Sequence, residues 1–315
     1  MVFDQAGAIY GTTEAGGAFN AGVVYKLTRP DNGAGAWTQT VLYTFTGSGD
    51  GLFFQTGLVF DRSGALYGTT AFGGIFNSSC GGGCGVIFKL VPPLMPGGAW
   101  TEETLYRFTG GADGTFPGGL VFGPHGALYG MTNLGGANGL GAVFQLSSIR
   151  KQSAWEQTVL YSFETGDRFA GYPQAPVVID RAGALYGMRK TGGDLNLGIV
   201  FKLNPPTVKG GPWTAEILHS FGSAGDGLGP IGRVTLDRTG AVYGTTGAGG
   251  TGRGVIFKLT PPAGSGLWSE TILHTFNGVD GGSADSTLRI NYRGDILGLS
   301  GGGSANVGTF FRFTP

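Results

Sequence analysis

Between Trp155 and Phe163 apolar side chains fall at Trp155, Val159, Tyr161 and Phe163, while Glu156, Thr158 and Ser162 occupy the intervening face. Alternation with period two marks a strand with one wet face. The same pattern follows Trp37, Trp100, Trp213 and Trp268. Three shorter segments precede each of these strands. One is a compact apolar run such as Gly57-Leu58-Val59-Phe60, closed by Asp61-Arg62-Ser63-Gly64. Asp and Gly at the first and fourth positions suit a tight turn, so this run opens a hairpin. It lacks alternation, and burial on both faces is expected for it. Ala65-Leu66-Tyr67-Gly68-Thr69-Thr70 forms the second strand and Val86-Ile87-Phe88-Lys89-Leu90 the third.

This four-strand unit recurs. Gly-x-(Leu/Ile/Val)-Tyr-Gly places its Tyr at Tyr10, Tyr67, Tyr129, Tyr186 and Tyr243, and Gly294-Asp295-Ile296-Leu297-Gly298 is a weaker sixth copy. The spacings are 57, 62, 57, 57 and 54 residues. A double glycine and a Val-Ile-Phe-Lys-Leu-like run follow each copy. Six four-stranded units of this kind predict an all-β, six-bladed β-propeller with about 57 residues per blade. The chain then reads as a single domain over 1–315, with units at 1–46, 47–109, 110–164, 165–222, 223–277 and 278–315. No Trp-led strand follows the sixth third strand, so that blade is expected to lack its outer strand. Nothing repeats with the 3.6-residue period of a helical solenoid.

Composition agrees with this reading and narrows the function. The 65 Gly and 15 Pro disfavour helices, while 22 Phe, 11 Tyr and 5 Trp supply a large core. Twenty basic and twenty acidic residues give zero net charge, which argues against nucleic-acid partners and against a polybasic membrane surface. No apolar run approaches the ~20 residues of a membrane span. A monomer is expected.

The run Gly-x-Leu-Tyr-Gly-Thr-Thr-x-x-Gly-Gly, followed by Gly-x-(Val/Ile)-Phe-Lys-Leu, resembles the GloVer repeat of bacterial tandem-repeat proteins (the Gloeobacter/Verrucomicrobia type). Gly64 to Leu90 and Gly240 to Leu259 match it most closely, and the likeness extends over all six units. The resemblance implies a propeller that is secreted or on the bacterial cell surface, and it brings no assigned catalytic residues. The sequence opens inside a first strand at Met1-Val2-Phe3-Asp4, with no signal peptide in it. Cys80 and Cys84, in Cys-Gly-Gly-Gly-Cys, are too few for a structural zinc site. In an exported protein they read as a small disulfide ring, with free thiols as the alternative.

Candidate chemistry is sparse. Asp4, Asp61, Asp180 and Asp237 recur in the hairpin turn, and Asp50, Asp113, Asp167, Asp226 and Asp280 in the loop between blades. Recurrence points to loop-holding. The sharper alternative is a ring of inter-blade aspartates holding calcium at the central channel; no other cofactor or metal is expected. His219 and His274 fill the slot of Tyr43, Tyr106 and Tyr161 and read as structural variants, and His125 sits in a hairpin. Departures from the repeat concentrate in the fourth unit, where Met188-Arg189-Lys190 replaces Thr-Thr. Arg168, Phe169, Tyr172, Arg189, Lys190 and Asn196 are therefore the candidate ligand-binding residues, a polar and aromatic patch suited to a sugar or small organic ligand. Phe53, Phe54 and Phe116 add to the same loop face. The leading reading is a non-catalytic binding or interaction module for carbohydrate. The alternative is a hydrolase or lyase acting on a saccharide or lactone at the channel mouth, with Glu14, Glu164, Asp167, Asp194 and Asp285 as candidate carboxylates.

Overall fold

The computed structural model describes residues 1–30, 33–54, 57–95, 97–149, 154–164, 175–222, 225–250, 252–264, 266–282, 287–303 and 308–314. The strands form six antiparallel sheets in which sequence neighbours pair. In the second blade the order is Val59–Phe60, Leu66–Thr70, Val86–Val91 and Thr101–Arg107, with Tyr67 opposite Val59 on one side and Lys89 on the other. Five sheets share this four-stranded meander. The third adds a short strand, Thr115–Pro117, against the far end of its second strand. The sixth holds three strands, Arg289–Ile290, Ile296–Ser300 and Thr309–Phe313.

The chain divides into two compact units, Met1–Ser162 with blades one to three and Phe163–Pro315 with blades four to six. Within each, the core lies between successive blades. In the first unit Tyr10, Val24 and Phe45 pack with Leu58, Leu66, Phe88 and Leu90 of the next blade. In the second, Tyr186, Val200 and Phe221 pack with Val242, Phe257 and Leu259.

One aromatic contact carries the repeat. A fully buried Phe follows each fourth strand: Phe45, Phe108, Phe163, Phe221 and Phe276. Each meets the third-strand Phe of the following blade edge to face, with centroids 5.1 to 5.6 Å apart. Burial of such a ring contributes about 1.5–3 kcal/mol, and the paired geometry about 0.5–1.5 more. The Gly of the Tyr-Gly motif makes room for it. A Cβ added at Gly68 would come within 2.5 Å of the Phe88 ring.

The hairpin aspartates are loop braces. Asp61 Oδ1 accepts the amides of Ser63 and Ala65, and Oδ2 accepts the Tyr67 hydroxyl at 3.1 Å. Asp4, Asp180 and Asp237 repeat the arrangement with Tyr10, Tyr186 and Tyr243.

The first strands differ from the sequence expectation. They are only partly buried, and the fully buried apolar residue is the one just before, as at Leu58, Leu120, Val177 and Leu288. A first strand pairs on one side only among the described residues, whereas second strands such as Leu66–Thr70 have a neighbour on each side and are buried throughout.

Candidate functional site

The loops between blades are built around the recurring aspartate. Asp50 accepts the amide and hydroxyl of Thr46 at 2.8 and 2.6 Å, and Asp113 does the same with Thr109. Tyr43 and Tyr106 donate their hydroxyls to these carboxylates. His219 and His274 take that place in later blades, with Nε2 3.2 Å from Asp226 and 3.0 Å from Asp280. Beyond the aspartate the chain turns back along the end of the next second strand, at Leu52 with Phe72, Thr115 with Leu134, and Leu228 with Ala248. That return forces the third residue after the aspartate into the left-handed region. Gly229 sits there with φ 57°, as glycine tolerates. In blades two and three the same position is Phe53, φ 60°, and Phe116, φ 54°.

A bulky side chain on such backbone costs roughly 1–3 kcal/mol, so the two phenylalanines are held at a penalty that glycine avoids. Their rings join a row. Phe53 lies 5.5 Å from Phe72, and Phe72 lies 5.1 Å from Phe116, edge to face in both cases. Phe53 is 42% exposed, and the other two rings are half-buried. The Cys80–Cys84 disulfide anchors the floor of this row. The Cys84 carbonyl accepts the Phe116 amide and the Thr115 hydroxyl, and the Gly82 backbone passes so close to Phe72 that an added Cβ would approach the ring to 2.8 Å. Phe54 turns inward instead and packs on Phe45 in the core.

The blade-four candidates are placed differently from one another. Arg189 occupies the slot in which Thr13, Thr70 and Thr246 clamp the turn between second and third strands, each donating to a carbonyl and accepting an amide. It is not the surface donor that the sequence suggested. Its side chain is buried to 1% exposure with the guanidinium 3.9 Å from the Phe163 ring centroid, and burial pulls its pKa down to about 9. Inward packing follows because the strand it ends, Leu185–Arg189, is buried along its whole length. Lys190 is exposed. Asn196 is exposed too, but its side-chain oxygen accepts the Gly192 amide, the same brace that Asn20 makes with Gly16. Glu14, Glu164 and Asp194 are exposed on their loops. Asp167, Arg168, Phe169, Tyr172 and Asp285 lie outside the described residues.

A second cluster was not anticipated. His219, at the end of one fourth strand, Asp226, in the following loop, and Glu270, on the next fourth strand, bring their ligand atoms within 4.8 Å of one another. Nε2 of His219 is 3.5 Å from Glu270 Oε1. Burial pushes the Glu270 carboxyl up to about 7, with Asp226 adding to the rise and His219 opposing it. Burial alone would lower His219, but the Asp226 hydrogen bond and the two carboxylates leave it raised. Such a group can share a proton or hold a cation. The signal was present in the sequence as a column: the second residue after Trp is Gln39, Glu102, Gln157, Ala215 and Glu270 in successive blades. Only register between blades shows which histidine meets which glutamate.

Six antiparallel blades, four-stranded but for the last, with their cores between neighbours, define a six-bladed β-propeller. The profile of the Gloeobacter/Verrucomicrobia repeat matches residues 1–210 and 153–315, and the chain belongs to that family. No curated protein matches the sequence. Among solved structures the chain is similar to PorZ, a bacterial surface component of the type-IX secretion system of Porphyromonas gingivalis, at 12% identity and TM-score 0.45 over 87% of this chain. It spans 42% of PorZ. It is also similar to an ulvan lyase solved bound to -[GlcA(1-4)Rha3S]-, at 10% identity and TM-score 0.52, over 99% of this chain and 82% of the lyase. A glucose dehydrogenase aligns at 13% identity and TM-score 0.48 over 99% of both chains. Among the described residues no helix is long and apolar enough to cross a membrane.

Proposed function

We propose that this protein is an extracellular bacterial binding module that holds saccharide chains on the Phe53–Phe72–Phe116 row without cleaving them. The observation that carries the reading is the left-handed backbone under Phe53 and Phe116. A loop that needed only to turn would take glycine there, as at Gly229. Strain of this kind is kept where the displayed side chain is used. Successive aromatic rings about 5 Å apart offer apolar faces to the C–H faces of sugar rings.

Binding is favoured over hydrolysis or elimination by the state of the carboxylates. Hydrolysis by paired carboxylates needs one acid kept protonated by burial. Glu14, Glu164 and Asp194 are exposed, and Asp50, Asp113 and Asp226 are engaged by their own loops. Burial does raise Glu270, but the carboxylate beside it is Asp226, which already accepts the Gly222 and Gly227 amides. Saccharide handling by the ulvan lyase is an analogy of fold alone. The test is a pull-down of the purified chain on cellulose, chitin, xylan, arabinan and ulvan, with reducing-end and unsaturated-product assays on the same samples. Retention on at least one polymer without product release is expected. Failure to bind any of them, or product formation, would overturn the reading.

A further inference from the structure

We propose that His219, Asp226 and Glu270 form a binding site for one divalent transition-metal cation of the zinc type, between blades four and five. One imidazole and two carboxylates are a donor set that zinc accepts, with a fourth position left for water. In a tetrahedral site with bonds of about 2.0–2.2 Å, ligand atoms lie about 3.3–3.6 Å apart. His219 Nε2 stands 3.2 Å from Asp226 Oδ2 and 3.5 Å from Glu270 Oε1. The two spacings from the imidazole are therefore already close to those that the ion would impose, and the two carboxylates lie within 4.8 Å of each other. The Gly222 and Gly227 amides donate to Asp226 and fix its carboxylate.

The chain supplies its own comparison. Between blades one and two the same three positions are Tyr43, Asp50 and Glu102. There the Tyr43 hydroxyl donates to Asp50, and Glu102 is satisfied by the Thr104 hydroxyl at 2.9 Å. Between blades two and three they are Tyr106, Asp113 and Gln157, and the Gln157 amide donates to the Asp113 carbonyl. Between blades four and five two changes fall together. Tyr becomes His219, which offers a ring nitrogen lone pair, and the residue matching Thr104 is Ile272, which has no hydroxyl. Glu270 Oε1 is consequently a buried oxygen that receives no hydrogen bond. An acceptor left bare beside a second carboxylate and an imidazole suits a cation better than it suits a purely structural brace. His219 and Glu270 remain 18% and 17% exposed, enough for an ion to enter from solvent.

Zinc alone is the probe. Protein stripped with EDTA and dialysed is titrated with ZnCl₂ by calorimetry, and its Tm is followed with and without the ion. One equivalent bound per chain and a raised Tm are expected. His219→Tyr restores the repeat's own residue and its hydrogen bond to the aspartate, so it should fold normally and lose zinc affinity at least 100-fold. Glu270→Gln should lose it at least 10-fold. His274→Tyr, which removes the other imidazole–aspartate pair, should bind zinc as the wild type does. Absence of stoichiometric zinc uptake, or equal uptake by wild type, His219→Tyr and Glu270→Gln, would overturn the proposal. Equal loss in His274→Tyr would do so too.

Discussion

At the scale of single residues the repeat gives each position a reference, and the informative positions are those that depart from it at a cost. Phe53 and Phe116 depart from Gly229, and Arg189 departs from a column of threonines. Arg189 reads from sequence as a ligand-binding candidate because Met188-Arg189-Lys190 replaces the repeat's Thr-Thr. Its burial against Phe163 changes what its removal should do. Arg189→Thr would bring back the clamp hydroxyl but delete most of a fully packed side chain. A cavity of that size costs about 2–4 kcal/mol, so thermal denaturation should show a Tm lower by several degrees. An unchanged Tm would mean that the side chain contributes nothing to packing.

At the scale of turns and strands, the hairpin aspartates make stability depend on acid. Burial raises the Asp61 and Asp237 carboxyls, but hydrogen bonds from the turn's hydroxyl and amides and from the tyrosine more than compensate, so both end below the ordinary carboxylate value. A folded pKa below the unfolded one gives stability that is complete above about pH 4 and is lost as pH falls through the folded value. Melting curves between pH 6 and 2.5 should therefore fall more steeply for the wild type than for Asp61→Asn/Asp237→Asn. Parallel curves would remove these turns from the acid response. The sixth blade offers a second check. Thr309–Phe313 pairs with Ile296–Ser300 only, among the described residues, whereas Val255–Thr260 is paired on both sides. Amide exchange in Thr309–Phe313 should be the faster of the two. Equal protection would mean that another segment covers this edge.

At the scale of the molecule, most of the architecture was legible because each blade is specified by local spacing. Tyr-Gly, the hairpin Asp, the double glycine and the Trp-led alternation each report contacts within one blade, or with the next at a fixed offset. The site was less legible. Phe53, Phe72 and Phe116 come from three separate segments, and nothing in their sequence spacing shows that the inter-blade loop returns along Leu52 and Phe72. The left-handed position was visible only as an alignment of Phe53 and Phe116 with Gly229. His219 and Glu270 read as ordinary variants of a tyrosine slot and a wet strand until the register of neighbouring blades set them 3.5 Å apart.

On the function proposed above, the left-handed backbone at Phe53 and Phe116 is kept to display a binding surface. This is tested by one measurement on Phe53→Gly/Phe116→Gly: affinity for whichever polysaccharide the wild type retains, read in the sample whose Tm is determined. Glycine relieves the left-handed backbone and deletes both rings, while the core phenylalanines are untouched. A Tm equal to or above that of the wild type is expected, with affinity reduced at least tenfold. A variant that binds as well as the wild type would contradict it.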